Sequence, residues 1–288
     1  MIPIHLALAT RTKRVKINEL ARVAAALQKQ ITRDFAPLWH VDATVGAFPL
    51  DDIPTGYWPI IVQDSAAPPE ADGLHISEAD SHPYALVRHG PSWSLSASHE
   101  VLEMLADPTG SRTVAGMSPI EGQGRVEFLV QVCAPCGDSR FAYCVNDVIV
   151  SDFHTPRYFE PVTSPRTSYS FRGAIERPRE VLAHGSLSWL AGNGVLFQAR
   201  ANDNGAITVT DHGPVSGRFT RPLREYASSL TPGHHRRLSN AVLDPLLADT
   251  RLAAIDASRI RSRDVLAEIV RRFGGLAEEM EEQGQSAA

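Results

Sequence analysis

The chain has 288 residues, 43% of them hydrophobic, which is enough to bury one large core or a core with a smaller appended module. The net charge is −5, and the basic residues are scattered along the chain, which argues against nucleic acid as a main partner. No stretch approaches the roughly 18 apolar residues that a membrane-spanning helix needs, so we expect a soluble protein without a membrane partner.

The first half of the chain is predicted to begin with a long helix. Apolar residues recur at three- and four-residue steps over residues 18–35, the pattern of an amphipathic helix. Three strands are predicted next, at residues 39–45, 57–62 and 83–88. Pro59 places the second of these at a sheet edge or at a strand entry. Residues 64–81, rich in Pro, Ala and acids, are predicted to form a surface loop.

A second, shorter helix is predicted at residues 98–106. Its apolar face is Val101, Leu102 and Leu105, and it ends before Pro108 because the residue preceding a proline avoids the helical region. The later segments read as strands at 125–133, 141–153 and 185–210, with turns at 146–147 and 202–205, followed by helical segments over 238–282.

The second helix carries the residues with the most informative spacing. Zinc peptidases of the His-Glu-x-x-His type place two ligands four residues apart on one helix face, and the Glu beside the first ligand polarises a zinc-bound water. Here His99 and Glu100 are followed by Glu103 at the second ligand position. A carboxylate is an acceptable zinc ligand, although its charge makes the metal a weaker Lewis acid. The alternative is a solvated face opposite Leu102 and Leu105.

This order of elements, with the His-Glu helix at its end, resembles the N-terminal half of zincin metallopeptidases (the metzincin and gluzincin folds) over about residues 17–110. Residues 33–39, which join the first helix to the first strand, also look like the corresponding join in those enzymes. The glycine-containing extension of metzincins and the second helix of gluzincins are not found. The resemblance implies an α+β fold with a long helix, a mixed sheet and an active-site helix, with additional strands and C-terminal helices.

The resemblance also implies a division of the chain and an activity. Residues 1–165 are assigned to a zincin-like catalytic domain and 166–288 to a strand-rich extension ending in helices, which packs separately or with the first as one unit. The implied function is a zinc-dependent peptidase acting on a peptide or protein substrate. One Zn²⁺ is bound by His99 and Glu103, and Glu100 is the general base. The alternative is a catalytically inactive zincin-like protein that acts as a binding or structural module.

A catalytic zinc site needs a third protein ligand, and three candidates remain open: Asp107, Glu127 and His154. Asp107 lies on the same helix side as His99 but about 12 Å further along, so it reaches the metal only if the chain bends at Pro108. His154 is equally well explained as a surface histidine at a strand end. Tyr158 is either a phenol that stabilises an oxyanion or an ordinary core tyrosine.

Cysteine is sparse, with an odd count of three, which fits a reducing compartment and a cytoplasmic location. The apolar start of the chain is followed, not preceded, by basic residues, so we expect no export signal. Cys133 and Cys136 have the spacing of a redox pair or half a zinc site, but a second pair at ribbon spacing is missing. We therefore expect buried or turn cysteines. A thiol redox protein is disfavoured because no thioredoxin-like strand and helix surround them.

Overall fold

A mixed sheet organises the first half of the chain. A computed structural model describes residues 3–64, 72–76, 83–215 and 222–229. The sheet has five strands in the order β2-β1-β3-β5-β4: β1 (Ile4–Thr10), β2 (Ala43–Ala47), β3 (Trp58–Gln63), β4 (Gly73–Ile76) and β5 (Tyr84–Arg88). Four strands are parallel, and β4 runs antiparallel to β5 at the edge. The interior strand β1 is apolar on both faces, as parallel strands covered on both sides are.

The predicted long helix is confirmed. It forms α1 (Ile17–Lys29), continues as a π-helical segment (Gln30–Phe35) and ends in α2 (Ala36–Trp39). Its predicted apolar face is fully covered: Leu20, Val23, Ala24, Leu27, Ile31 and Phe35 are all buried.

The strand predicted at 39–45 is wrong in its first half. Trp39 ends α2, His40 reverses the chain with a left-handed φ of 53°, and β2 begins only at Ala43. The Trp39 ring stacks on Phe35 at 5.9 Å and its indole N–H donates to the carbonyl of His154 at 3.1 Å. These tertiary contacts keep Trp39 in the helical turn, although the alternating sequence pattern predicts a strand there.

The second predicted helix is α3 (Trp93–Ala106), which begins earlier than the pattern indicates and packs against β4 and β5. Its predicted apolar residues Val101, Leu102 and Leu105 are buried. The loop predicted over 64–81 is partly wrong because it contains β4. The strand β1 was not predicted either, since its apolar residues do not alternate.

A second sheet follows α3 along the chain. It is antiparallel, in the order β12-β11-β10-β7-β6, and a separate hairpin is formed by β8 and β9. The strands are β6 (Thr113–Met117), β7 (Arg125–Leu129), β8 (Tyr143–Val145), β9 (Val148–Val150), β10 (Ser186–Ala191), β11 (Val195–Ala201) and β12 (Ile207–Pro214). The predicted turn at Asn146 and Asp147 is confirmed, with φ of 50° and 60° as a type I′ hairpin requires.

The described residues thus form a mixed α+β structure, completed by the short helix α4 (Leu223–Ser229). The predicted division at residue 165 stays a prediction, although β7 and β10, one on each side of it, pair in the second sheet. The helices predicted over 238–282 lie outside the described residues. Within the described ranges, no helix combines the length and apolarity needed to cross a bilayer.

Candidate functional site

The polar face of α3 is buried. Glu100 and Glu103 are only 4% and 2% exposed, and Asp107, directly after the helix, is 2% exposed. Side chains and backbone from β4, from the segment after β7 and from α4 all reach this face. The alternative prediction of a solvated face is therefore wrong. A helix that is apolar nearly all round, as α3 is, buries its acids together with its apolar residues.

Glu100 is directed at the edge strand β4. Its Oε2 lies 2.7 Å from Nδ1 of His75, and the guanidinium of Arg224 contacts Nε2 of the same ring. A guanidinium only donates, so Nε2 of His75 accepts and the proton sits on Nδ1, which donates to Glu100. Burial, followed by the charge of Arg224, lowers the pKa of His75 to about 3 and keeps the ring neutral. Gly73 makes room, because a Cβ there would lie 2.6 Å from Oε1 of Glu100.

One carboxylate oxygen of Glu103 accepts a hydrogen bond, and the other is in an ion pair without a hydrogen bond. Oε1 accepts the backbone N–H of Cys133 at 2.7 Å, and Oε2 lies 3.2 Å from Nη2 of Arg224. Burial raises the pKa of the Glu103 carboxyl, and the neighbouring Arg224 opposes this rise. The imidazole Nε2 of His99 lies 3.8 Å from Oε1 of Glu103. The two residues predicted as zinc ligands are thus brought together, one turn apart on α3.

Asp107 caps the turn after α3. Its Oδ1 accepts the hydroxyl of Thr109 at 3.0 Å and the backbone N–H of Ser111 at 3.2 Å. Its Oδ2 accepts the backbone N–H of Arg112 at 2.9 Å and lies 3.4 Å from Nη2 of Arg224. The carboxylate of the first candidate for the third ligand is therefore committed to the turn and to Arg224.

Arg224, on α4, is the cation at the centre of this site. The guanidinium contacts His75, Glu103 and Asp107, and its Nη2 also donates to the carbonyl of Val130 at 2.7 Å. Its side chain is 5% exposed. We call this group of five residues the Arg224 cluster: His75, Glu100, Glu103, Asp107 and Arg224.

The other two candidates for the third ligand lie in different surroundings. Glu127 is exposed on β7 and accepts the hydroxyl of Thr113 at 2.8 Å. His154 is buried, not at the surface, and stacks on Tyr158 with ring centroids 4.4 Å apart. Burial lowers the pKa of His154 to about 4. Tyr158 is a core residue whose hydroxyl donates to the carbonyl of Glu180 at 3.0 Å.

Cys133 and Cys136 are buried free thiols at a turn, as expected from the sequence. The backbone N–H of Cys136 donates to the carbonyl of Cys133 at 3.0 Å. Burial raises the pKa of both thiols well above the ordinary value for cysteine. A protonated, buried thiol is a poor nucleophile, so the geometry gives these residues a packing role.

The donors around α3 do not fit a zinc ion as they stand. Glu103 and Asp107 already face the guanidinium of Arg224 at 3.2 and 3.4 Å, so both carboxylates are occupied by an ion pair. In the part of the chain that the structure describes, no group of three or more His, Cys, Asp or Glu residues is placed to hold a metal ion. His99 and Glu103 together supply two ligands.

Sequence reasoning missed His75 and Arg224. His75 lies in a four-residue strand, too short for its alternation to stand out from the loop predicted there. Arg224 is 149 residues further along the chain, so no local spacing connects the two. The apolar residues around Glu100 and Glu103 in the sequence indicated that these acids are buried. Buried acids require a partner, so a cationic or hydrogen-bonding partner could have been expected.

Comparisons with protein families, with curated proteins and with solved structures find no match for this chain.

Proposed function

We propose that this protein is a non-catalytic zincin-like protein that acts as a binding or structural module. The observation that carries the proposal is the Arg224 cluster. Glu103 and Asp107, two of the acids that the resemblance assigns to a zinc site, are paired with one buried guanidinium. They join α3 to α4.

The position of Glu100 supports the same conclusion. A general base needs its carboxylate within hydrogen-bond reach of the water or proton that it acts on. Here Oε2 of Glu100 accepts from His75 at 2.7 Å in a buried pair, beside the backbone of Gly73. This arrangement links α3 to the edge of the first sheet. A carboxylate committed in this way stabilises the fold and is a poor base.

We propose a peptide or protein as the partner of the module. β4 is the last strand of the first sheet, and within the described residues it pairs with β5 alone. An edge strand offers backbone hydrogen-bonding groups to an extended peptide, which can add to the sheet as a further strand. The buried contacts of Glu100 and His75 hold this edge in position.

A zinc-dependent peptidase is the second candidate, favoured by one specific observation. His99 and Glu103 approach to 3.8 Å on one face of α3, as the first and last residues of a His-Glu-x-x-Glu motif. In this alternative Glu100 is the base, and zinc supplies a Lewis acid that activates water when it is bound.

Zinc content and peptide hydrolysis separate the two candidates. Untagged wild-type protein is expected to hold much less than one equivalent of zinc after dialysis, to gain no thermal stability from added zinc and to leave a peptide library uncut. One equivalent of zinc that is lost in His99→Ala, but kept in the control His184→Ala, would favour the peptidase. His184 is a suitable control because it pairs with Asp203 elsewhere in the protein.

Hydrolysis needs its own variant. If the wild type cleaves peptides and Glu100→Gln keeps the zinc but cleaves on the order of 10²-fold more slowly or worse, the non-catalytic proposal is wrong, because that loss is expected for removal of a general base.

A further inference from the structure

We infer that the edge strand β12 is a dimerisation surface, at which two copies of this chain pair in antiparallel orientation and extend the second sheet from one copy into the other. The surface belongs to the second sheet, so the inference goes beyond the peptide partner proposed at β4 in the first sheet.

β12 is exposed along most of its length. It is the last strand of the second sheet and, within the described residues, pairs with β11 alone. Residues 206–211 are all exposed, so both faces of the strand reach the solvent. Ile207 and Val209 are 49% and 43% exposed, which is unusual for large apolar side chains. They lie on the same face of β12, because side chains two residues apart in a strand share a face.

The backbone groups of Ile207 and Val209 point away from the sheet. At the hairpin turn, the N–H of Asn202 donates to the carbonyl of Ala206 at 3.0 Å, so these two residues form a hydrogen-bonded pair. Hydrogen-bonded and non-hydrogen-bonded pairs alternate along an antiparallel ladder. The next pair, Ala201 with Ile207, is therefore not hydrogen-bonded, and Val209 repeats this arrangement two residues further on. Ile207 and Val209 thus direct their N–H and C=O groups to the open edge.

The features that usually protect a sheet edge are missing from this segment. Natural proteins keep edges apart with lysine, proline or a bulge. Residues 201–211 contain no Lys, Arg or Pro. The bulge opposite Val195 and Phe197 and the proline Pro214 lie at the far end of β12. The edge over residues 206–211 can therefore accept a further strand.

A second copy of β12 fits this edge in one register. When two copies pair about Thr208, Ile207 of each copy lies opposite Val209 of the other, and both residues offer outward backbone groups. Thr208 then faces its own counterpart, and a Thr–Thr pair across two strands is favourable. A register centred on Val209 would instead place Ile207 opposite the carboxylate of Asp211. In the first register Asp211 lies opposite Gly205, so no like charges oppose each other.

The size of the contact predicts a weak and reversible dimer. Stable interfaces involve roughly 20–30 residues from each partner, whereas this pairing uses residues 205–211 of each copy. Ile207 and Val209 are the large apolar side chains that it covers. We therefore expect monomer and dimer to exchange at micromolar concentrations.

Sedimentation velocity of the full chain over a range of micromolar concentrations tests the inference. Wild type is expected to shift reversibly from monomer to dimer as the concentration rises. Val209→Lys should weaken the dimer on the order of 10-fold, because it places two like charges close to the two-fold axis and opposite apolar side chains. Val162→Lys is the matched control. Val162 is 68% exposed and lies outside the strands, so this substitution should leave the dimer unchanged.

Cysteine substitutions determine the register. Thr208→Cys should form an intermolecular disulfide when oxidised glutathione is added, because residue 208 faces its counterpart in a non-hydrogen-bonded pair. Thr210→Cys is the control, since its counterpart lies four residues away along the strand, about 13 Å, which is too far for a disulfide. Wild type measures the background from the partly exposed native Cys144.

A wild type that stays monomeric at every concentration overturns the inference, whether or not β12 binds an extended peptide instead. A dimer that Val209→Lys and Val162→Lys weaken equally also overturns it. If circular dichroism shows that Val209→Lys does not fold, the disulfide decides: equal crosslinking of Thr208→Cys and Thr210→Cys, or none in either, overturns the inference. These outcomes leave zinc content and peptide hydrolysis unchanged, so failure of the dimer and failure of the proposed function are distinguishable.

Discussion

Two buried polar networks meet α3, and they differ in charge. The first, near the start of the helix, consists of Gln30, Ser98, Tyr143 and Ser151, none of which is charged in the folded protein. Ser98 donates to the side-chain oxygen of Gln30 at 2.8 Å and accepts the backbone N–H of Ser151 at 2.9 Å. Gln30 donates to the Tyr143 hydroxyl and to the Ser151 carbonyl. At the outer ends of this network Tyr143 donates to Asp34, and the Ser151 hydroxyl donates to the carbonyl of Asp152.

The second network is the Arg224 cluster, near the end of the same helix. Its acids outnumber its cations, and a single guanidinium joins three of its members. The comparison shows two ways to bury polar groups against one helix. A network of uncharged donors and acceptors contributes the same stability at different pH values. The contribution of a charged cluster depends on its one cation and on the protonation of the neighbouring groups.

The largest expected effect is that of Arg224→Ala. Breaking a buried ion pair on one side typically costs about 3–5 kcal/mol, because the remaining charges stay buried without a partner. We expect a decrease of about that size in the free energy of unfolding, measured by urea titration at pH 7. Arg112→Ala is the control, because the exposed guanidinium of Arg112 donates to the carbonyl of Ala106 at 2.7 Å and losing that contact should cost about 1 kcal/mol. Equal effects of the two variants would mean that Arg224 contributes no more than an ordinary surface contact.

The second prediction is a pH dependence that belongs to the charged network alone. The pKa of His75 is lowered from 6.5 in the unfolded chain to about 3 in the folded protein. Below pH 6.5 His75 therefore binds a proton in the unfolded chain but not in the folded protein. The free energy of unfolding decreases as the pH falls toward 3. Between pH 7 and pH 4 this contribution amounts to on the order of 3 kcal/mol.

The variant His75→Asn isolates that contribution. Its amide keeps an N–H for Glu100 but does not titrate, so its free energy of unfolding should change less between pH 7 and pH 4 than that of wild type. Protonation of Glu103 acts in the opposite direction, since its pKa is raised in the folded protein. Parallel stability curves for wild type and His75→Asn would show that the pKa of His75 is not lowered on folding, and this prediction would be wrong.

The fold was predictable where a pattern repeats over several turns or strands. The helix over 18–35, the core face of α3 and the Asn146 turn follow from periodicity and turn chemistry. Trp39 was misassigned because its contacts with Phe35 and His154 decide its conformation, and such contacts are invisible in an alternating pattern. The short strand β4 was missed because four residues carry too little pattern.

The candidate site was predictable only in part. A four-residue spacing was enough to bring His99 and Glu103 to one face, because helix geometry fixes that relation. The contacts to His75 and Arg224 depend on how distant segments fold onto α3, and nothing in the local sequence encodes those pairs. The spacing therefore predicted a general base at Glu100, whereas the structure pairs its carboxylate with His75 in β4.

The smallest expected effect tests the neutral network through Ser98→Ala. The substitution removes one hydroxyl that both donates to Gln30 and accepts from Ser151, so it leaves a buried carbonyl oxygen and a buried N–H without their partner. We expect a loss of about 1–2 kcal/mol in the free energy of unfolding. Because neither Ser98 nor Gln30 titrates, this loss should be the same at pH 7 and pH 5. Ser94→Ala, one turn earlier on α3, removes a single hydrogen bond to the carbonyl of Ile149 and should cost less. A pH-dependent effect of Ser98→Ala would show that the two networks on α3 are coupled, and that the separation drawn between them is wrong.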